Sequence, residues 1–186
     1  MKKLFSIALV VAMAMPLFAK DDADKTDATI KRIPREQSAI WPSPIAICQW
    51  PNSPDIIGLR LTIPFSSCHD SITGIDLGLW GRSIYFEGIQ LNVLRNDVKD
   101  YAGGLQVGLY NSVGRGDLAG AQVGLWNETI GSDGLQLGLI NVAGSVNGFQ
   151  VGLINRAETL YGFQVGLINV IRDSDTPVMP IINIGY

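Results

Sequence analysis

The sequence predicts an all-β repeat architecture, a parallel β-solenoid with coils of 14 to 16 residues. Three observations lead there. An eight-residue phrase occurs seven times, as GIDLGLWG from Gly74, GIQLNVLR from Gly88, GLQVGLYN from Gly104, GAQVGLWN from Gly120, GLQLGLIN from Gly134 and GFQVGLIN from Gly148 and Gly162. Successive starts lie 14 or 16 residues apart, and such a fixed period marks a repeat fold. Within each phrase apolar residues alternate with Gly and Gln, which is the period of a strand. Two glycines in each phrase also oppose a helix, by roughly 1 kcal/mol apiece.

The elements follow in chain order. Residues 1–19, MKKLFSIALVVAMAMPLFA, set Lys2 and Lys3 before an apolar run and end on Ala19, the pattern of a secretory signal peptide. The run is shorter than the roughly 20 residues that span a bilayer as a helix. Residues 20–37 mix both charge signs with few apolar side chains and read as a solvated linker. Residues 38–73 read as an N-terminal β module or cap, containing IWPSPIAICQW with Trp41 and Trp50, and the weaker echo GLRLTIPF from Gly58. Residues 74–171 carry the repeats, and residues 172–186 form a closing cap strand.

In the repeat, the structural positions are the first glycine, the glutamine and the second glycine. They are Gly104, Gln106 and Gly108; Gly120, Gln122 and Gly124; Gly134, Gln136 and Gly138; Gly148, Gln150 and Gly152; and Gly162, Gln164 and Gly166. In a solenoid, like residues stack on like about 4.8 Å apart. Phe149 then meets Phe163, Val151 meets Val165 and Leu153 meets Leu167, as a continuous apolar core. Gln and Asn form amide ladders beside it. The alternative is a ten-stranded antiparallel meander closed as an outer-membrane barrel, with Leu, Val and Phe toward lipid. Two features disfavour it: the linkers show no alternation of long and short, and Trp80, Tyr110 and Trp126 share the parity of Gly and Gln, so that in a barrel they point into the lumen.

The phrase G-x-Q-[VL]-G-L-x-N, with N-x-A following at Asn141 to Ala143 and Asn155 to Ala157, resembles bacterial surface-repeat proteins of the spirochaete and Bacteroidetes type. The likeness runs from about Ile57 to Tyr186 and includes GLRLTIP, GIDLGLW and the closing PVMPIINIGY. It implies export to the cell envelope and implies no reaction. Asp76 in place of Gln and Asn92 in place of Gly depart from the pattern, as capping repeats do.

Export makes Cys48 and Cys68 candidates for a disulfide, with two free thiols as the alternative. Cleavage after Ala19 removes two lysines and no acid, taking the formal charge from -3 to -5. That balance disfavours a nucleic-acid partner. Envelope proteins, glycans, membranes and self-association remain the partner classes. The sequence offers no clear catalytic set: Cys68, His69 and Asp70 are contiguous, and neighbours in an extended chain point to opposite sides. A lone histidine with two distant cysteines lacks zinc-site spacing. Asp173 and Asp175 read as a solvated turn, and Arg115-Gly116-Asp117 as ordinary turn chemistry. The glycines recur instead of clustering before a helix, so no phosphate loop is present. The expectation is an exported, non-enzymatic scaffold without a cofactor, located in the periplasm, in the outer membrane or on the cell surface. A small barrel with a structural or pore role is the second reading.

Overall fold

Nine strands and no helix make up the described part of the chain, residues 43–47, 55–64 and 69–186 of a computed structural model. They are β1 (Ser43–Ile47), β2 (Asp55–Thr62), β3 (His69–Val107), β4 (Tyr110–Val123), β5 (Trp126–Leu137), β6 (Ile140–Val151), β7 (Ile154–Ala157), β8 (Thr159–Ile171) and β9 (Val178–Gly185). All belong to one sheet whose order follows the chain, within the unit Ala39–Tyr186. The signal-like segment, the linker, Trp41, Trp50, Cys48 and Cys68 lie outside the described residues.

Pairing is parallel from β1 through β8. Gly104, Gly120, Gly134, Gly148 and Gly162 stand in register, as do Gln106, Gln122, Gln136, Gln150 and Gln164. The chain therefore winds as a β-solenoid with copy stacked on copy. Parallel neighbours rule out the antiparallel barrel, in which consecutive copies must run in opposite directions. Two of the longer periods are absorbed as register breaks, at Val98/Tyr101 and Val113/Asp117. From the segment expected to be an N-terminal β module or cap, β1 and β2 join the same parallel stack. At the other end β9 turns back antiparallel on β8, setting Asn183 beside Gln164.

The first glycine of each coil is required by its backbone. Eight of them, from Gly58 to Gly162, have φ between 105° and 145°, which L side chains rarely adopt. A Cβ at Gly148 would also run into the carbonyl oxygen of Gly134 in the preceding coil.

The expected apolar core is on the opposite side. Phe149 stacks on Phe163, with ring centroids 5.6 Å apart and planes 9° from parallel. Yet both rings face outward, exposed by 52% and 42%. The glutamines and asparagines occupy the interior, fully buried. Steric crowding sets this direction. An added Cβ at Gly152 would meet the Gly138 carbonyl and the side-chain amides of Asn141 and Asn155, so the glycine side of the strand is the crowded one. The bulky residues of opposite parity must then point out. Apolar interior side chains come from the remaining sides of the coil, as Ala143, Val146, Ala157, Leu160 and Ile171 toward one end. Ile56, Ile72, Phe86, Val98, Val113 and Leu118 belong to a second cluster toward the other.

Gly148→Ala should therefore cost at least about 2 kcal/mol in urea unfolding, from a disallowed φ and a backbone collision. Asn147→Ala, one residue earlier and outward-facing, should stay within about 0.5 kcal/mol.

Candidate functional site

Two surfaces of the coil carry the polar chemistry and the unpartnered apolar area, and both derive from the repeat phrase. The first is internal. Gln164 Nε2 donates to Gln150 Oε1 at 2.7 Å, and the chain continues through Gln136, Gln122 and Gln106 to Gln90 with each donor aimed at the preceding coil. The asparagines run the other way: Asn96 Nδ2 donates to Asn111, Asn111 to Asn127, and so on to Asn169, each in the following coil, at 2.6–2.8 Å. The same Nδ2 groups donate their second hydrogen to backbone carbonyls, such as Val151 for Asn141. A buried amide that lost its partner would cost about 1–3 kcal/mol, so each rung depends on its neighbours.

The glutamine chain ends on a charge. Gln90 Nε2 and Asn92 Nδ2 both donate to Asp76 Oδ2 at 2.9 Å. From the coil before, Arg60 donates Nε to Oδ1 at 2.8 Å and Nη2 to Oδ2 at 2.6 Å. Its Nη1 donates to the Arg82 carbonyl, and Thr62 donates to Asn92 Oδ1 at 2.6 Å. Both ionic side chains are fully buried. The two departures from the repeat pattern, Asp76 and Asn92, thus form one cluster. Asp76 replaces a rung because Arg60 stands beneath it, and Asn92 joins that carboxylate to the asparagine ladder through Asn96. The glutamine positions themselves signalled this: Arg60 is the third residue of the weak GLRLTIPF copy, in register with Asp76.

The second surface is the outer wall formed by positions two, four and six of the phrase. From Leu59 to Leu167 every residue at these positions is aliphatic or Phe. At position six, Leu109, Leu125, Leu139 and Leu153 form an exposed ridge, and their backbones are linked at 3.0 Å. Toward the C-terminal end of this ridge Gly138, Gly152 and Gly166 floor a shallow groove of about 370 Å³, lined by Leu137, Leu139, Val151, Leu153, Val165, Leu167 and Ile181. Ile181, on β9, has φ 72°, an unusual conformation for a β-branched residue.

Around the corner from the wall lies a stacked column. The Arg95 guanidinium sits 5.6 Å from the Trp80 ring and 4.7 Å from the Tyr110 ring, and Tyr110 stands 6.3 Å from Trp126. Tyr110 donates its hydroxyl hydrogen to Glu128 Oε2 at 2.6 Å. Burial pushes the Tyr110 pKa up from its ordinary 10.0, and the Glu128 hydrogen bond and charge push the same way, against Arg95. Trp80, Tyr110 and Trp126 flank the coil half-buried.

The remaining sequence candidates are scattered. Arg115 pairs with Asp100 at 3.1 Å, inside β4, so Arg115-Gly116-Asp117 is part of the sheet and not a projecting turn. Asp173 and Asp175 are exposed beyond β8. Cys68 is outside the described residues, and His69 begins β3. Among the described residues no group of three His, Cys, Asp or Glu side chains converges. The Gln and Asn amides of the repeat phrase face inward and are fully buried. Compared with known proteins, the sequence matches no protein-family model, no curated protein and no solved structure.

Asp76→Gln should cost about 3–5 kcal/mol in chemical unfolding, because it leaves Arg60 charged and buried without its counter-ion. Adding Arg60→Gln, which rebuilds the neutral rung, should recover most of that loss. A second outcome follows from Tyr110. Its raised folded pKa contributes stability that is complete below pH about 10 and is lost as pH rises through the folded value. The difference in melting temperature between the native chain and Tyr110→Phe should shrink above pH about 10 and stay constant from pH 6 to 9.

Proposed function

We propose that the chain is an exported, non-enzymatic protein of the cell envelope that works as a scaffold and presents its outer faces to a partner. One observation carries this reading: the polar groups of the repeat bond to one another inside the coil, while its apolar side chains face outward as a long uncharged wall. Polar chemistry is used up in holding coil to coil, and what remains is a surface for contact. The wall's groove is lined by aliphatic side chains and glycine, which offers no acid, base or nucleophile. Near-identity of the coils supports the same reading, since a catalytic centre needs one coil to differ in its outward chemistry. Export is supported by the signal-peptide pattern of residues 1–19 and by the resemblance to surface-repeat proteins.

Expression of the full chain in a bacterial host, followed by fractionation and intact-mass measurement, tests it. The expected product is found in the envelope fractions and has lost a segment ending at or near Ala19. Full-length chain retained in the cytoplasm would overturn the proposal.

A further inference from the structure

We infer that the apolar wall is a self-association surface and that its occupant is a second copy of this chain, packed wall to wall. The inference deepens the scaffold reading by naming the partner and rests on it. A parallel sheet ordinarily has both faces covered, and here the inner face is filled by the coil itself while the outer one is bare. Something apolar must cover it.

Area is the first argument for a second copy. Positions two, four and six hold fifteen large apolar side chains that are each 36–67% exposed. Their rows, spaced about 4.8 Å apart over the length of the stack, give an accessible patch on the order of 1,000 Å². A stable dimer buries about 800 Å² per partner, and single patches on monomers are ordinarily a few hundred.

Relief is the second. The ridge of Leu109, Leu125, Leu139 and Leu153 runs on into the groove floored by Gly138, Gly152 and Gly166. A ridge fits a neighbouring groove along its whole length only when both repeat at the same spacing. Another copy has that spacing by construction, as in a dry zipper between identical strands. A bilayer has no such order. Ile181 adds to the relief, its strained backbone holding a 68% exposed side chain at the groove.

Charge is the third. One margin of the wall carries Glu87 and Asp133, the other Arg82, Arg95 and Arg156 with Asp97 and Glu128, Asp97 being paired there with Arg82 and Arg95, which leaves that margin the more basic of the two. A twofold axis parallel to the stack sets each margin against the other, acidic against the more basic one. Against an anionic membrane the acidic margin and the net charge of -3 are repulsive.

The test uses the chain as purified from expressing cells, in sedimentation equilibrium over a concentration series, with flotation on phosphatidylcholine vesicles in parallel. The expected result is a dimer that does not float. Leu139→Lys with Leu153→Lys should weaken association by at least about 100-fold, since each ammonium would be desolvated against leucine. Its circular dichroism should match the native chain. Ser145→Lys, exposed and outside both the wall and its charged margins, should leave the dimer intact. A monomer at high micromolar concentration overturns the inference, whether or not it floats, and so does a dimer that survives the double lysine substitution. Failed export would refute the scaffold's location without touching this result, because association is read on isolated protein.

Discussion

Everything in this fold depends on one constraint: a buried side-chain amide must find donors and acceptors, and here it finds them in a copy of itself one coil away. Gln136 is satisfied because Gln122 and Gln150 stand in register above and below it. Register is therefore enforced by polar groups, where most β folds rely on an apolar core to enforce it. The cost of a slipped coil is several unsatisfied amides at once. That is why the copies vary freely at outward positions, from Ala121 to Phe149, while Gln and Asn do not vary from Gly104 onward.

The same constraint explains the glycines and the wall. Amides can bond between coils only if the backbones approach closely, and glycine at the first and fifth positions permits that approach. Small residues on the inner side force the large ones outward. The apolar wall is thus the steric complement of the amide interior, and its lack of charge is set by the same two-residue alternation. Where the pattern yields, at Arg60 and Asp76, it does so as a pair, which keeps the buried charge balanced.

Much of this was legible in the residues. Glycine with period-two alternation gave strands, and near-identity of consecutive copies gave parallel stacking, because only that arrangement places every copy in one environment. Sidedness was not legible by the usual rule. Alternation says that two faces differ without saying which is inside, and hydrophobicity assigned Phe149 and Leu153 to the core. The correct cue was that Gln150 shares its parity with Gly148 and Gly152, and small residues mark the crowded side. Asp76 read as a capping irregularity because its partner lies in the weakest copy, where Arg60 takes the place of glutamine. Arg95 was hidden for another reason: the extra residue before Asn96 shifts it into the column of Trp80, Tyr110 and Trp126, and spacing counted from the glycines misses the shift.

The two amide ladders point in opposite directions along the stack, glutamine donors toward the N-terminal coils and asparagine donors toward the C-terminal ones. Their dipoles largely cancel, so the interior accumulates little axial field as coils are added, unlike a helix whose peptide dipoles all align. Neither end of the stack becomes progressively harder to terminate. A 14-residue coil can accordingly be duplicated or deleted in evolution with little electrostatic consequence for the rest, and the length of such a chain is free to follow the size of whatever it must span.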